Sequence, residues 1–228
     1  MALAIFDLDE TLVAADSASL FCRFLHDRGL ADDDFLRRDA RMMELYNNQQ
    51  LSMPQYIESL LEPILKLHRD DIDALMPEFV RDYVAPRIYP QARALLSELK
   101  ANGERLLIIS ATVTFIVRAV ARELGVDEVL AIDLQEDDRG YYSGKIDGIP
   151  SFREGKVQRL AIWCELENET LTDARFYSDS INDLALLEQV PFPVATNPDK
   201  PLAEIARQRG WATLNWQLSD TEVSTLTP

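Results

Sequence analysis

The sequence predicts an α/β protein: a Rossmann-like, three-layer parallel sheet with a helical cap subdomain inserted into it. Three observations carry this expectation. Short apolar runs recur along the 228 residues, and each ends in a polar cluster. Helical periodicities separate the later runs. A stretch of about seventy residues after the first run carries helical periodicity alone.

The first run, "ALAIF" (2–6), stops against Asp7 and Asp9. Further along the chain come "RLLIIS" (105–110), "VLAID" (129–133), "ARFYS" (174–178) and "PVAT" (193–196). These runs are continuously apolar, as in strands covered on both faces, the mark of a parallel sheet. "PQARALLSELKANG" opens with Pro90 and stops at Gly103, the asymmetry of a helix start and stop. "TVTFIVRAVARELG" likewise ends at Gly125. Residues 17–85 hold "SLFCRFLHDRGL", "DFLRRDARMMELYNNQQ", "MPQYIESLLEPILKL" and "DIDALMPEFVRDYV". That is too long for a simple crossover, so residues 16–85 are read as the cap, and 1–15 with 86–228 as the core. The glycines and tyrosine pair of "DRGYYSGKIDGIP" (138–150) predict a short hairpin beyond the third strand.

Composition narrows the function classes. A chain 47% hydrophobic can bury a sizeable core. The formal charge of −16 argues against a nucleic-acid partner, because phosphate-backbone binding needs a basic surface. Cys22 and Cys164 match no metal or redox spacing and read as reduced thiols. The first apolar run lacks a charged flank and ends in acids, unlike a secretory signal. No run approaches the roughly 20 apolar residues of a membrane span. The expectation is a cytoplasmic protein, a monomer or weak homodimer, with no membrane partner.

Ligands of open parallel sheets bind outside the carboxyl ends of the strands. Asp7 and Asp9 come after the first run, Ser110, Ala111 and Thr112 after the second, and Asp179 and Asp183 after the "ARFYS" run. Lys156, in "SFREGKVQRL", opens the helical pattern before it. Carboxylates, a hydroxyl and an amine in one crevice suit phosphoryl transfer with Mg²⁺, which takes hard oxygen ligands and keeps several waters. A carboxylate can attack phosphorus and split one displacement into two. Ser110 and a backbone N–H can hold the phosphoryl oxygens, and Lys156 can neutralise charge. Asp7 and Asp9 share a face of the strand, but only a carboxyl held off the ion keeps a proton for the leaving group. Asp7 is therefore the nucleophile and Asp9 the acid. Glu10 is assigned to the other face and left out of the site.

"DLDET" on its apolar strand, "LLIISAT", "EGK" and "YSDSINDLALL" together resemble the four motifs of the haloacid dehalogenase-like superfamily, in its phosphoserine phosphatase-like branch. The resemblance implies Asp7 as nucleophile and Asp9 as acid/base. It implies Ser110, Ala111 and Lys156 on the phosphate side, and Mg²⁺ held by Asp7, the Asp9 carbonyl and Asp179, with Asp183 in support. The second Asp is typical of the phosphatases; members that are dehalogenases lack it. A helical cap in this branch closes over the substrate. Asp16 matches the position from which an acid faces the substrate amine, and Arg37, Arg38 and Arg41 are candidates for a substrate carboxylate.

Structural roles compete for several of these residues. Asp16 and Thr112 could each cap a helix, Asp179 and Asp183 could sit at a helix start, and Arg153 and Arg159 rival Lys156 as the cation. His26, His68 and the three tryptophans read as structural, and Asp32–Asp34 as a helix N-terminus. Tyr46, Tyr56 and the cap methionines do not decide the substrate. The function expected is hydrolysis of a small phosphorylated metabolite, an amine-bearing one such as phosphoserine or histidinol phosphate. Phosphocholine or phosphoethanolamine hydrolysis, and a phosphotransferase or mutase, share every motif. A receiver-type signalling domain does not fit the motif order or the length.

Overall fold

The computed structural model describes residues 2–48 and 50–218, without the side chains of Tyr46 and Asn47. Its strands are β1 Leu3–Phe6, β2 Arg105–Val113, β3 Glu128–Ile132, β4 Leu134–Glu136, β5 Tyr142–Ile146, β6 Arg175–Ser178, β7 Phe192–Thr196 and β8 Ala212–Leu214. Six of them form one parallel sheet in the order β3-β2-β1-β6-β7-β8. β1 lies near its centre, with Ile5 in register with Leu107 of β2 and Phe176 of β6. The segments leaving β2 and β6 therefore flank the segment leaving β1. This is the topological reason a crevice forms here.

The period-2 alternation of β1 sends its residues to two cores. Ala4 and Phe6 join a cluster with the helices before β3, while Leu3 and Ile5 join one with Leu160, Trp163, Leu186 and Leu202. Helices α5 Pro90–Ala101 and α6 Thr114–Leu124 contribute to the first cluster. α7 Glu154–Glu167, α8 Leu184–Leu187 and α9 Lys200–Arg209 cover the other face. The result is helix, sheet, helix.

Between β1 and β2 run α1 Ser17–Asp27, α2 Asp33–Asn47, α3 Met53–Leu61 and α4 Arg69–Phe79. α4 continues into a π-helical turn, Val80–Val84, before the chain returns to the sheet. Asp32 accepts from the Phe35 N–H at 2.9 Å, so the acidic run marks the start of α2. Phe21, Phe24, Phe79 and Tyr83 pack ring against ring, and Phe21 meets Phe115 of α6 at 5.5 Å between centroids. This aromatic contact ties the inserted helices to the sheet layer.

β4 and β5 form the hairpin expected beyond the third strand. Its turn touches the inserted helices: the Arg69 N–H donates to the Gly140 carbonyl at 2.9 Å, and Tyr141 meets the His68 ring edge-on. β8, a three-residue Ala-Thr-Leu segment, carries no pattern of its own and is set by its pairing with β7.

The start of α7 is the tightest point in the core. Arg153 adopts φ 52° and ψ −124°, a left-handed conformation that is rare for a side-chain-bearing residue. Two residues on, a Cβ on Gly155 would fall 2.0 Å from the Pro150 carbonyl oxygen. Only glycine fits, and the next residue is Lys156. Gly155→Ala should therefore lower the unfolding free energy by ~1–3 kcal/mol, as other over-packing substitutions do. Urea denaturation measures it, and an unchanged midpoint would contradict the close approach.

Candidate active site

Asp7 continues β1 by one residue, its N–H donating to the Tyr177 carbonyl at 2.9 Å. That hydrogen bond fixes its side chain at the mouth of the sheet, where it is only 7% exposed. Lys156 Nζ, in the first turn of α7, lies 2.7 Å from Asp7 Oδ1 and 2.8 Å from Asp183 Oδ2. Ser178, the last residue of β6, donates its hydroxyl to the same Asp183 oxygen at 2.7 Å. Thr11 donates to Asp179 Oδ1 at 3.0 Å and accepts from the Asp179 N–H at 3.0 Å. Groups from three distant segments thus meet at one place.

Asp9 is held apart from this cluster. Its Oδ1 accepts from the Ser17 N–H at the start of α1 (2.7 Å), and its Oδ2 from the Thr112 hydroxyl (2.9 Å). Asp16 caps α1, with Oδ1 accepting from the Ser19 N–H at 2.7 Å. Burial pushes the Asp7 carboxyl up to about 7, with Lys156 opposing and Asp183 and Asp9 adding to the rise. Burial also raises Asp9 to about 7, with Asp16 adding to it. Asp16 rises to about 6 for the same first reason. Asp179 is held well above its ordinary value by burial, then by Asp7 and Asp183. Burial alone would lower Lys156, but Asp183 and Asp7 outweigh it and keep the amine protonated.

A cavity of about 230 Å³ opens over these groups. Asp7, Asp9, Asp16, Ala111, Thr112 and Asp179 line its floor and side. Met43, Met53 and Tyr56 of the inserted helices, with Leu51 between α2 and α3, form its roof. Ser110 lies just beneath: it is fully buried, and its Oγ accepts from the Thr112 N–H at 3.1 Å. A larger cavity of about 390 Å³, between α4, α6 and β4, is lined by none of Asp7, Asp9, Asp179 and Asp183.

Two expectations are corrected. Thr112 does not cap α6, whose N-cap is Val113; β2 runs on to Val113, and the Thr112 hydroxyl is turned to Asp9 instead. Glu10 is not on another face. A turn in which the Leu12 and Val13 N–H groups both donate to Leu8 O interrupts the strand geometry, and Glu10, at φ 55°, lines the cavity. Asp199 was not anticipated. It caps α9 and accepts from the Ile181 N–H at 2.9 Å, holding the loop that carries Asp179 and Asp183. An Asp before Lys-Pro is a helix-start signal in the sequence, but its reach to Ile181 is not.

None of the described arginines lines the cavity. Arg37 pairs with Asp34, Arg38 with Glu62, and Arg41 lies exposed. Arg159 pairs with Asp133, and Arg153 donates Nε to Asn182 Oδ1 at 3.1 Å. His26 faces Asp27 and Asp33, and His68 caps α4. Trp163 packs in the second core under Arg105, and Trp216 against Tyr89. Both cysteines are free thiols. The side chain of Tyr46 lies outside the described residues.

A profile of haloacid dehalogenase-like hydrolases matches residues 4–188, from β1 past the Asp179–Asp183 loop. The chain belongs to the haloacid dehalogenase-like hydrolase family. A histidinol-phosphatase of Neisseria meningitidis serogroup C (strain 8013) is 35% identical over 219 residues, 94% of this chain and 99% of that protein. The crystal structure of a Bordetella pertussis Tohama I protein of unknown function shares 38% identity, covers 93% of this chain and 97% of its own, and gives a TM-score of 0.87. A substrate-bound phosphoserine phosphatase shares the fold at TM-score 0.69 and 17% identity, covering 99% of this chain and 98% of its own.

The donor set of this hydrolase fits a hard divalent cation. Asp7 and Asp179 each keep one carboxylate oxygen, Oδ2, that accepts no hydrogen bond from a described residue. Among the described residues no three acid, histidine or cysteine side chains are gathered to hold a metal by themselves. The reason is geometric: Lys156 and Ser178 occupy Asp183, and Asp9 turns toward Ser17 and Thr112. Two free oxygens with a backbone carbonyl and waters remain, the sparse protein set that Mg²⁺ prefers over a full cage.

The raised acids make a signed prediction about stability. A carboxyl whose folded pKa lies above its ordinary 3.8 costs the fold nothing at low pH. It becomes a growing penalty as pH climbs from there through about 7. Asp179→Asn should thus raise the melting temperature of the metal-free protein by roughly 2–4 °C per kcal/mol relieved at about pH 8, and by less at about pH 5. Thermal melts at the two pH values measure this. Equal gains at both would show that burial and the neighbouring acids do not hold the Asp179 carboxyl above its ordinary value.

Proposed function

We propose that this hydrolase is a Mg²⁺-dependent phosphatase that cleaves a small, amine-bearing phosphomonoester through an aspartyl-phosphate on Asp7. One observation carries the reading. Two carboxyls from the end of one strand stand in unlike settings, Asp7 beside Lys156 and Asp179, Asp9 beside Ser17 and Thr112.

Asp7, Asp179 and the Asp9 carbonyl would hold the ion, with Asp183 behind Lys156 in support. Bound there, Mg²⁺ supplies charge neutralisation between carboxylate and phosphoryl oxygens. In the first step an Asp7 oxygen bonds to phosphorus and the ester P–O bond breaks, while Asp9 gives its proton to the leaving alkoxide. In the second, Asp9 takes a proton from water, whose oxygen attacks phosphorus. The bond to Asp7 then breaks, releasing inorganic phosphate and the free carboxylate. Lys156 holds Asp7 oriented throughout, and Ser110 and the Ala111 backbone serve the phosphoryl oxygens. Held at about 7, Asp9 is protonated often enough near neutrality to act as an acid.

The cavity supports a small cationic leaving group. Its 230 Å³ is below the roughly 300–1,000 Å³ of drug-sized sites. Glu10 and Asp16 give it negative charge, and no described arginine offers a receptor for a carboxylate. Phosphoserine carries a carboxylate beside its amine, whereas histidinol phosphate carries none. The relative named histidinol-phosphatase supports the same choice. The cap of residues 16–85 is assigned the closing role over that substrate.

Asp7→Asn should reduce phosphate release from every monoester by at least ~10³-fold in the presence of Mg²⁺, with the circular dichroism of the folded protein retained. Survival of turnover would refute the nucleophile. Asp9→Asn should slow alkyl phosphates far more than p-nitrophenyl phosphate, whose leaving group needs no proton. Equal slowing of both would remove Asp9 as the acid.

A further inference from the structure

We propose that Tyr56 of α3 is a specificity-determining residue, its hydroxyl accepting a hydrogen bond from the substrate's ammonium alongside Asp16. This rests on the phosphatase reading and adds to it a cap residue that no motif supplies.

Tyr56 is 6% exposed and lines the cavity. Its hydroxyl makes no hydrogen bond with any described residue. Because Tyr56 lines the cavity, the acceptor capacity of its hydroxyl is offered to a ligand there, and phenylalanine in the same position would lack it. The charges around the hydroxyl define which ligand. Asp16 acts on it most strongly, with the Cys22 thiol, Asp39 and Asp9 next. Burial, then these groups, keep the phenol well above its usual range, so it remains a neutral hydroxyl.

Asp16 supplies the second half of the receptor. Its Oδ1 is committed to the Ser19 N–H, while Oδ2 accepts no hydrogen bond from a described residue. An ammonium carries N–H donors enough for both that oxygen and the Tyr56 oxygen. Met43, Leu51 and Met53 close the space above with apolar surface, which keeps water from competing. A carboxylate placed here would meet Asp16 and Glu10 with no counter-cation. The pair therefore selects an amine carried without a neighbouring carboxylate, which matches amino-alcohol phosphates and rejects amino-acid phosphates.

The test is Tyr56→Phe, which removes one oxygen and keeps the ring. Steady-state kinetics would compare histidinol phosphate with an amine-free alkyl phosphate of similar size, both with Mg²⁺. KM for the amine substrate should rise ~10-fold, several times more than for the amine-free one, with kcat moving less than KM. Combined with Asp16→Asn, the loss for the amine substrate should fall short of the product of the two single losses, because both groups hold one ammonium. Equal KM increases on both substrates, no increase, or full multiplicativity with Asp16→Asn would each overturn the role of Tyr56. A wild type silent on every monoester, p-nitrophenyl phosphate included, would instead bring down the phosphatase reading, and Tyr56 with it.

Discussion

Lys156 stands between Asp7 and Asp183 at 2.7 and 2.8 Å, and these three side chains are almost wholly buried. Gathering carboxylates at the end of a central strand is costly unless a cation is buried with them. Much of the local backbone is arranged to place that cation. Gly155 lets α7 begin against the Pro150 carbonyl, and Arg153 holds a left-handed conformation just before it. Removing Lys156 would leave two acids facing each other in the dry interior. The lysine is therefore a condition for the fold.

One cation does not balance the cluster. Asp179 and Asp9 remain, and burial raises both. The residual negative field is one a hard divalent cation would offset, and the two acids that follow β1 are held differently. Asp7 is tied to the core through Lys156, whereas Asp9 is tied to the first N–H of α1 and to Thr112. Asp9 is thus positioned by the start of the inserted helices. The chain also returns from them beside it, through the Val13–Ile88 bridge. A movement of the cap would act first on Asp9 and Asp16, and least on Asp7.

Residues whose position is set by a strand end were legible in the sequence. An apolar run that stops at Asp7, or at Ser110, or before Asp179, says where the sheet ends, and a parallel sheet brings those ends together. The hairpin was legible for a similar local reason, its glycines. Glu10 was misread because alternation was extended past Phe6, where a turn already governs the chain. Thr112 was misread because a register shift beyond Ile109 extends β2 to Val113. Asp199 depends on a contact with Ile181 eighteen residues away, and Tyr56 on the cavity that distant segments enclose; neither has a local pattern that would reveal its setting. β8 exists only through its pairing with β7.

The composition itself explains why the cavity keeps its negative field. With 39 acids against 23 basic residues, a cap arginine meets a surface carboxylate close at hand. Arg28 takes Glu78, Arg37 takes Asp34, Arg38 takes Glu62 and Arg81 takes Asp82. Such exposed pairs contribute little to stability, but they hold guanidinium groups at the surface. No described arginine is left lining the roof, which is built from Met43, Leu51, Met53 and Tyr56. Under the proposed function, a substrate would then bring its own positive charge to meet Asp16 and Glu10. The overall charge of −16, which at first opposes an anionic substrate, becomes a filter. It disfavours large polyanions, and under the proposed function it would leave the local field of the crevice to admit a small phosphate that carries an amine.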